Sequence, residues 1–144
     1  PMEAHRLAGG RPRLSEAAAA GVGPLRALFD TNVLIDYLNG VEAAKAELAR
    51  YDRPAISVIS WIEVLAGTKP DVEAQTRKFL AVFERIELSE AIADQAVALR
   101  RSARMRVPDA IILATARVEN LVLVTRNTKD FPADEPGIRM PYRT

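Results

Sequence analysis

From residue 27 onward the chain alternates short apolar runs with segments of helical period, and the last such pair constrains the fold most. Ala110 to Val118 is apolar nearly all round, which reads as a helix central to a domain, with Pro108 suited to its first turn. Leu121-Val122-Leu123-Val124 follows as an unbroken aliphatic run, the pattern of a parallel strand covered on both faces. Earlier strands are expected at Ala27-Leu28-Phe29, Ala55-Ile56-Ser57-Val58 and Ile86-Glu87-Leu88, with Ile138 in a final edge strand. Between them, Val33, Leu34, Tyr37 and Leu38 recur at helical spacing, and Val41 to Tyr51 is amphipathic. Ser60 and Glu63 have the spacing of a capping box and predict a helix starting there and ending by Gly67 and Pro70. Val72 to Phe83 reads as a further helix with Val72, Phe79 and Phe83 inward. Ser89 then caps one that buries Ile92, Ala96, Leu99 and Ala103. Strands alternating with helices predict a three-layer α/β/α sandwich around a mainly parallel central sheet.

The other residues narrow the chemistry. The 144-residue chain suits one domain, and its 49% hydrophobic content is enough for a core. Residues 1–24 hold four of the seven glycines and three of the nine prolines, so they read as an N-terminal tail or an extension left by cloning. The domain proper is expected over 25–144. No stretch has the ~18 apolar residues of a membrane span and no apolar signal core opens the chain, so a cytoplasmic protein is expected. Zero cysteines remove disulfides, thiolate metal sites and cysteine nucleophiles. The single histidine, His5, lies in the expected tail, which leaves carboxylates to carry any catalysis. Twenty basic residues stand against nineteen acidic ones, a balance that argues against a large nonspecific nucleic-acid clamp.

In an open parallel sheet, ligands bind beyond the carboxyl ends of the strands. Asp30 follows the first strand, Asn127 and Asp130 follow the Leu121–Val124 strand, and Glu63 and Asp109 lie on first helical turns. Each has a bland reading. Asp30 can be a helix N-cap, Glu63 half of a capping box, Asp109 a complement to the helix dipole, and Asn127 and Asp130 turn formers. Together they point further, because acids gathered at one sheet edge repel one another unless a cation holds them ionised. Oxygen ligands suit Mg²⁺ or Mn²⁺, and the matching reaction is phosphodiester hydrolysis, which needs no histidine.

Four segments carry a resemblance: Leu28-Phe29-Asp30-Thr31-Asn32-Val33-Leu34-Ile35-Asp36, Ser60-Trp61-Ile62-Glu63-Val64-Leu65-Ala66-Gly67, Pro108-Asp109-Ala110-Ile111-Ile112-Leu113-Ala114-Thr115-Ala116 and Leu123-Val124-Thr125-Arg126-Asn127-Thr128-Lys129-Asp130-Phe131. In this order and spacing the chain resembles PIN domains over about residues 27 to 140, most of all the VapC-type toxins of bacterial toxin–antitoxin pairs. The resemblance implies a PIN-like fold and a Mg²⁺- or Mn²⁺-dependent endoribonuclease that leaves a 5′-phosphate and a 3′-hydroxyl. It also implies silencing by a cognate antitoxin of the VapB kind, and a homodimer. Asp30, Glu63 and Asp109 fall on the family's acidic metal-site positions. Many relatives carry an acid where this chain has Asn127, so either Asn127 or Asp130 takes the fourth place, and Asp130 joins the candidate catalytic set. Thr31, Asn32 and Thr125 are expected to support the site by hydrogen bonds. Arg100, Arg101, Arg104, Arg106 and Arg126 are candidates to grip RNA, the first four being open equally to the reading of a solvated helix face. Trp61, Val64 and Leu65 are candidates to line the pocket that receives the antitoxin.

Two other readings compete. An aspartyl-phosphate phosphatase would want a second Asp where Asn32 stands, and no glycine-rich phosphate loop appears near a strand end. A noncatalytic PIN-like binding module that only holds a protein or RNA partner stays open through Asn127.

Overall fold

The computed structural model describes residues 26–143, so the expected tail at 1–24 lies outside the described residues. Five strands form one sheet: β1 (Ala27–Phe29), β2 (Ala55–Ser57), β3 (Glu84–Ile86), β4 (Val122–Val124) and β5 (Ile138–Arg139). Their order is β3-β2-β1-β4-β5 and every pairing is parallel, with Leu28 opposite Leu123 and Phe29 opposite Val124. Six α-helices surround it: α1 (Thr31–Leu38), α2 (Glu42–Leu48), α3 (Val58–Ala66), α4 (Glu73–Leu80), α5 (Glu90–Ala103) and α6 (Val107–Val118). Short 3₁₀ turns span Pro70–Val72 and Thr128–Asp130.

Alternation along each strand divides the core in two, because successive side chains point to opposite faces. Leu28, Ala55 and Leu123 pack with Ile92 and Leu99 of α5 and Ile112 and Leu113 of α6. Ala27, Phe29, Ile56 and Val124 pack on the other face with residues of α1 to α4, among them Val33, Leu34, Leu48, Val64 and Leu80. The result is the expected α/β/α sandwich. Phe29 anchors the second layer, with its ring edge-on to Tyr51 at 5.7 Å and to Phe83 at 6.1 Å. Truncating a buried Phe of this kind to Ala costs about 3–5 kcal/mol.

Several boundaries depart from expectation. Helix α3 begins three residues earlier than the Ser60 capping box predicts, because Ser57 is the N-cap and its Oγ accepts from Ile59 N at 3.0 Å. Ser60 is therefore inside the helix and fully buried. β3 lies at 84–86 instead of 86–88, and α2 is confined to 42–48. Val72 and Ala103 were expected inward and are exposed, since Val72 closes a 3₁₀ turn and Ala103 ends α5 on its solvent side. Ser89 caps α5 as expected, accepting from Ile92 N at 3.2 Å. Gly40 has φ +83 just beyond the end of α1, a left-handed position that favours glycine.

The chain runs outward from β1 to β2 and β3, then returns through α5 and α6 to β4 on the other side of β1. Strand order thus reverses between β1 and β4, which opens a crevice at their carboxyl ends. Helix α3 touches both α1 and α6, so residues from all three meet at that edge.

Candidate active site

Asp30 leaves β1 and caps α1. Its Oδ1 accepts from Thr31 N at 2.7 Å and its Oδ2 from Thr125 Oγ1 at 2.8 Å, with only 6% of the residue exposed. The bland reading of Asp30 as a cap is therefore true, and it leaves unexplained why the carboxylate is buried with a hydroxyl and a backbone amide as its hydrogen-bond donors among the described residues. Thr125, which follows β4, is fully buried, and its hydroxyl also accepts from Asn127 N at 3.1 Å and Asn32 Nδ2 at 3.3 Å. Asn32 Oδ1 in turn accepts from Arg126 N at 3.2 Å. Thr31 Oγ1 donates to Glu63 Oε1 at 2.7 Å and lies 2.8 Å from Ser60 Oγ. The first turn of α1 thus holds one acid from its own cap and one from α3.

The remaining acids come from α6 and the 3₁₀ turn after β4. Asp109 sits on the first turn of α6 and is half-buried. Burial, followed by the charges of Asp130 and Asp30 and more weakly Glu63, pushes its carboxyl up to about 6, while Arg106 opposes the rise. Burial also raises the pKa of Asp30. The hydrogen bonds from Thr125 and Thr31 oppose that rise, and the charges of Glu63 and Asp130 add to it. Asn127 Nδ2 donates to Asp130 Oδ2 at 2.8 Å while its Oδ1 accepts from Lys129 N. Its amide is thus spent orienting Asp130, and of the two candidates Asp130 is the one within electrostatic reach of Asp30 and Asp109. The structure therefore brings Asp30, Glu63, Asp109 and Asp130 to one edge, together with Thr31, Asn32, Thr125 and Asn127.

This donor set suits a hard cation. The acids face hydroxyls, amides and one another, and mutual repulsion is what a divalent ion would relieve. Among the described residues, no three of the His, Cys, Asp and Glu side chains stand close enough to hold one ion together. Mg²⁺ is commonly bound by only one or two carboxylates, with water and phosphate filling the rest, so the arrangement is compatible with it.

The basic candidates separate. Arg126 does not face the acids. Its Nε donates to Asp36 Oδ2 at 2.7 Å and a second nitrogen lies 3.4 Å from Oδ1, an ion pair on α1 that Tyr142 joins by donating to Oδ2 at 2.8 Å. Arg100 donates to Met105 O at 3.3 Å and so ties down the α5–α6 turn. Arg100 and Arg101 border an apolar groove between α5 and α6 with Leu88, Val97 and Val107, whereas Arg104 and Arg106 border a polar cavity with Asp109 and Asp130. Trp61 and Leu65 also leave the expected pocket: Trp61 packs beneath the Arg77 and Arg85 guanidiniums, and Leu65 packs against the core beside α4. Only Val64 borders the cleft beside Glu63, a cavity of about 410 Å³ that Ile35, Leu38, Lys69 and Val72 also line.

Sequence reasoning missed three residues near this edge. Ser60 was absorbed into the capping box, although its position one turn before Glu63 puts both on one helical face. Lys129 sits in the cavity with Asp109 and had no signal beyond lying between Asn127 and Asp130. Asp36 is one turn beyond Asn32 and had no signal beyond closing the first of the four segments.

A family model described as PIN domain matches residues 27–133, and the chain belongs to that family. Ribonuclease VapC10 of Mycobacterium tuberculosis is 38% identical over 116 residues, which cover 75% of this chain and 87% of that protein. Among solved structures, a toxin–antitoxin complex from Klebsiella pneumoniae superposes with a TM-score of 0.78 at 48% identity, covering 82% of this chain and 99% of the matched one. DNA-bound VapBC from Salmonella typhimurium superposes with a TM-score of 0.67 at 25% identity, over 80% and 96% of the two chains.

Proposed function

We propose that this protein is an endoribonuclease, the toxin of a VapBC-type pair, which hydrolyses RNA phosphodiester bonds with Mg²⁺ or Mn²⁺ and is silenced by its antitoxin. The observation that carries the reading is the meeting of Asp30, Glu63, Asp109 and Asp130 at the switch point, where burial and the neighbouring acids raise the pKa of Asp30 and Asp109 and the charge of Arg106 opposes the rise at Asp109. The similarity to a ribonuclease and to toxin–antitoxin complexes supports the same conclusion.

Asp30 and Asp109 would hold the cation, with Glu63 as a further ligand or as the base. When bound, the ion supplies charge neutralisation for the phosphodiester and acidifies water. Thr125 and Thr31 N fix the two oxygens of Asp30, so the carboxylate needs no reorganisation when substrate arrives. Thr31 holds Oε1 of Glu63, which leaves Oε2 to take a proton from the attacking water. Asn127 holds Asp130 facing the same space. The cleft beside Glu63 suits an antitoxin segment with apolar anchors, which could place an Arg against the acids. Among the described residues no helix is long and apolar enough to cross a membrane, and a cytoplasmic homodimer is the form we propose.

The test is cleavage of labelled RNA with Mg²⁺, with EDTA, and by Asp30→Asn. We expect activity in the first and a loss of at least about 100-fold in the other two. Activity that survives EDTA and the substitution would refute the metal-site reading. RNA binding without cleavage under every condition would favour a noncatalytic binding module.

A further inference from the structure

The cations of this protein are unevenly spent. Arg50, Arg77, Arg117, Arg126 and Arg139 sit in salt bridges, and Arg100 is held by a backbone carbonyl. Arg104 and Lys129 have no side-chain hydrogen bond or ion pair with any described residue, and Arg106 acts on Asp109 through its charge alone. These three line one cavity of about 250 Å³, which runs between the α5–α6 turn and the 3₁₀ turn after β4 and has Asp109 and Asp130 on its wall.

The backbone adds an independent observation. Arg104 ends α5 with φ 58 and ψ 33, in the left-handed region. Among the described residues the only other non-glycine with positive φ is Asn120, a residue type that tolerates it. Glycine is the favoured residue at such a helix end, and an arginine there is strained. A strained residue with an unpaired charge at the mouth of an acidic site points to a role for its side chain beyond the fold.

We propose that Arg104, Arg106 and Lys129 form a phosphate track, which seats the backbone of single-stranded RNA beside the acidic cluster on its α6 side. Three unpaired cations next to carboxylates that would otherwise repel a polyanion provide the local attraction that the near-neutral net charge does not. Arg100 and Arg101 lie outside this track, one occupied by Met105 O and both bordering the apolar groove. The inference rests on the ribonuclease reading for the identity of the ligand only.

The experiment measures binding of a fluorescein-labelled single-stranded RNA 12-mer by anisotropy in EDTA across a salt series, so that it is independent of cleavage. Each of Arg104→Ala, Arg106→Ala and Lys129→Ala should weaken binding severalfold and reduce the slope of log K against log salt by about 0.7. Lys78→Ala removes an equal charge from the exposed end of α4 and should leave the slope unchanged. Arg104→Gly is the sharpest variant: it relieves the left-handed strain, so its melting temperature should equal or exceed that of the parent while RNA binding falls. Unchanged slopes in all three variants, or a slope reduced by Arg101→Ala instead, would overturn the track. A polyglutamate peptide that displaces RNA at equal charge concentration would also overturn it, in favour of an acidic protein partner. Reduced slopes without any cleavage in Mg²⁺ would uphold the track and sink the ribonuclease, whereas Asp30-dependent cleavage with unchanged slopes would do the reverse.

Discussion

Two groups of buried acid in this protein are treated in opposite ways. Glu47 on α2 is 3% exposed and fully compensated: Arg139 donates to both oxygens at 2.7 and 2.9 Å, Tyr51 donates to Oε2 at 3.0 Å, and Arg50 lies 3.6 Å away. Asp36 on α1 is similarly held by Arg126 and Tyr142. Asp30 is just as buried, yet it receives only a hydroxyl and a backbone amide, and burial first, with the acids around it second, raises its pKa and that of Asp109. The first group closes the structure, tying β5 and the segment after it onto α1 and α2. The second group is left in mutual repulsion, the arrangement expected of the cation site proposed above.

Substitutions should therefore change sign between the two groups. The largest effect is expected for Glu47→Gln, which removes one partner of a buried ion pair and leaves Arg139 uncompensated. Urea unfolding should show a loss of about 3 kcal/mol, equivalent to roughly 10 °C in Tm. Asp36→Asn should cost less, about 2 kcal/mol, because Arg126 is a third exposed and can recover water, and Tyr142→Phe about 1 kcal/mol. A neutral result for Glu47→Gln would erase the distinction.

Asp109→Asn should act in the opposite direction. With the folded carboxyl pushed up to about 6 and the unfolded one near 3.8, the folded state holds the proton more tightly. Below about pH 4 both forms are protonated and no penalty exists. As pH rises toward 6 stability falls, and above that the penalty is constant. Removing the charge should thus stabilise the metal-free protein at pH 7.5 by about 1 kcal/mol, after allowance for the solvent reaching a half-buried group. Thermal melts at pH 7.5 and pH 3.8 check this, and a gain that persists at the lower pH would contradict the electrostatic origin.

The fold was legible because a parallel sheet covered on both faces leaves a plain signature, and the runs at 27–29, 55–58 and 121–124 carry it, each holding one of the strands 27–29, 55–57 and 122–124. β3 was misplaced because it is an edge strand with exposed Glu84 and Arg85, so the apolar pattern that marks central strands is absent there. The helix start at Ser57 was missed because Ser57 and Ser60 both suit a cap, and the choice is set by where pairing with β3 ends, at Ser57 opposite Ile86. The placements of Asp30 and Asp130 after strands and of Asp109 on a first helical turn were legible, whereas Glu63 was expected on a first turn and lies on the second turn of α3, because that helix starts at Val58. Arg126 was misread because its partner Asp36 is 90 residues away, and nothing local announces a long-range ion pair.

Burial and the neighbouring acids raise the Asp109 carboxyl, and a bound divalent cation should reverse that rise. A carbon-detected NMR titration of the Asp109 carboxyl, with and without Mg²⁺, tests it most directly. A midpoint near 6 in the metal-free protein, falling to the ordinary carboxylate range or below in Mg²⁺, is the expected result. A midpoint that Mg²⁺ leaves in place would contradict the account.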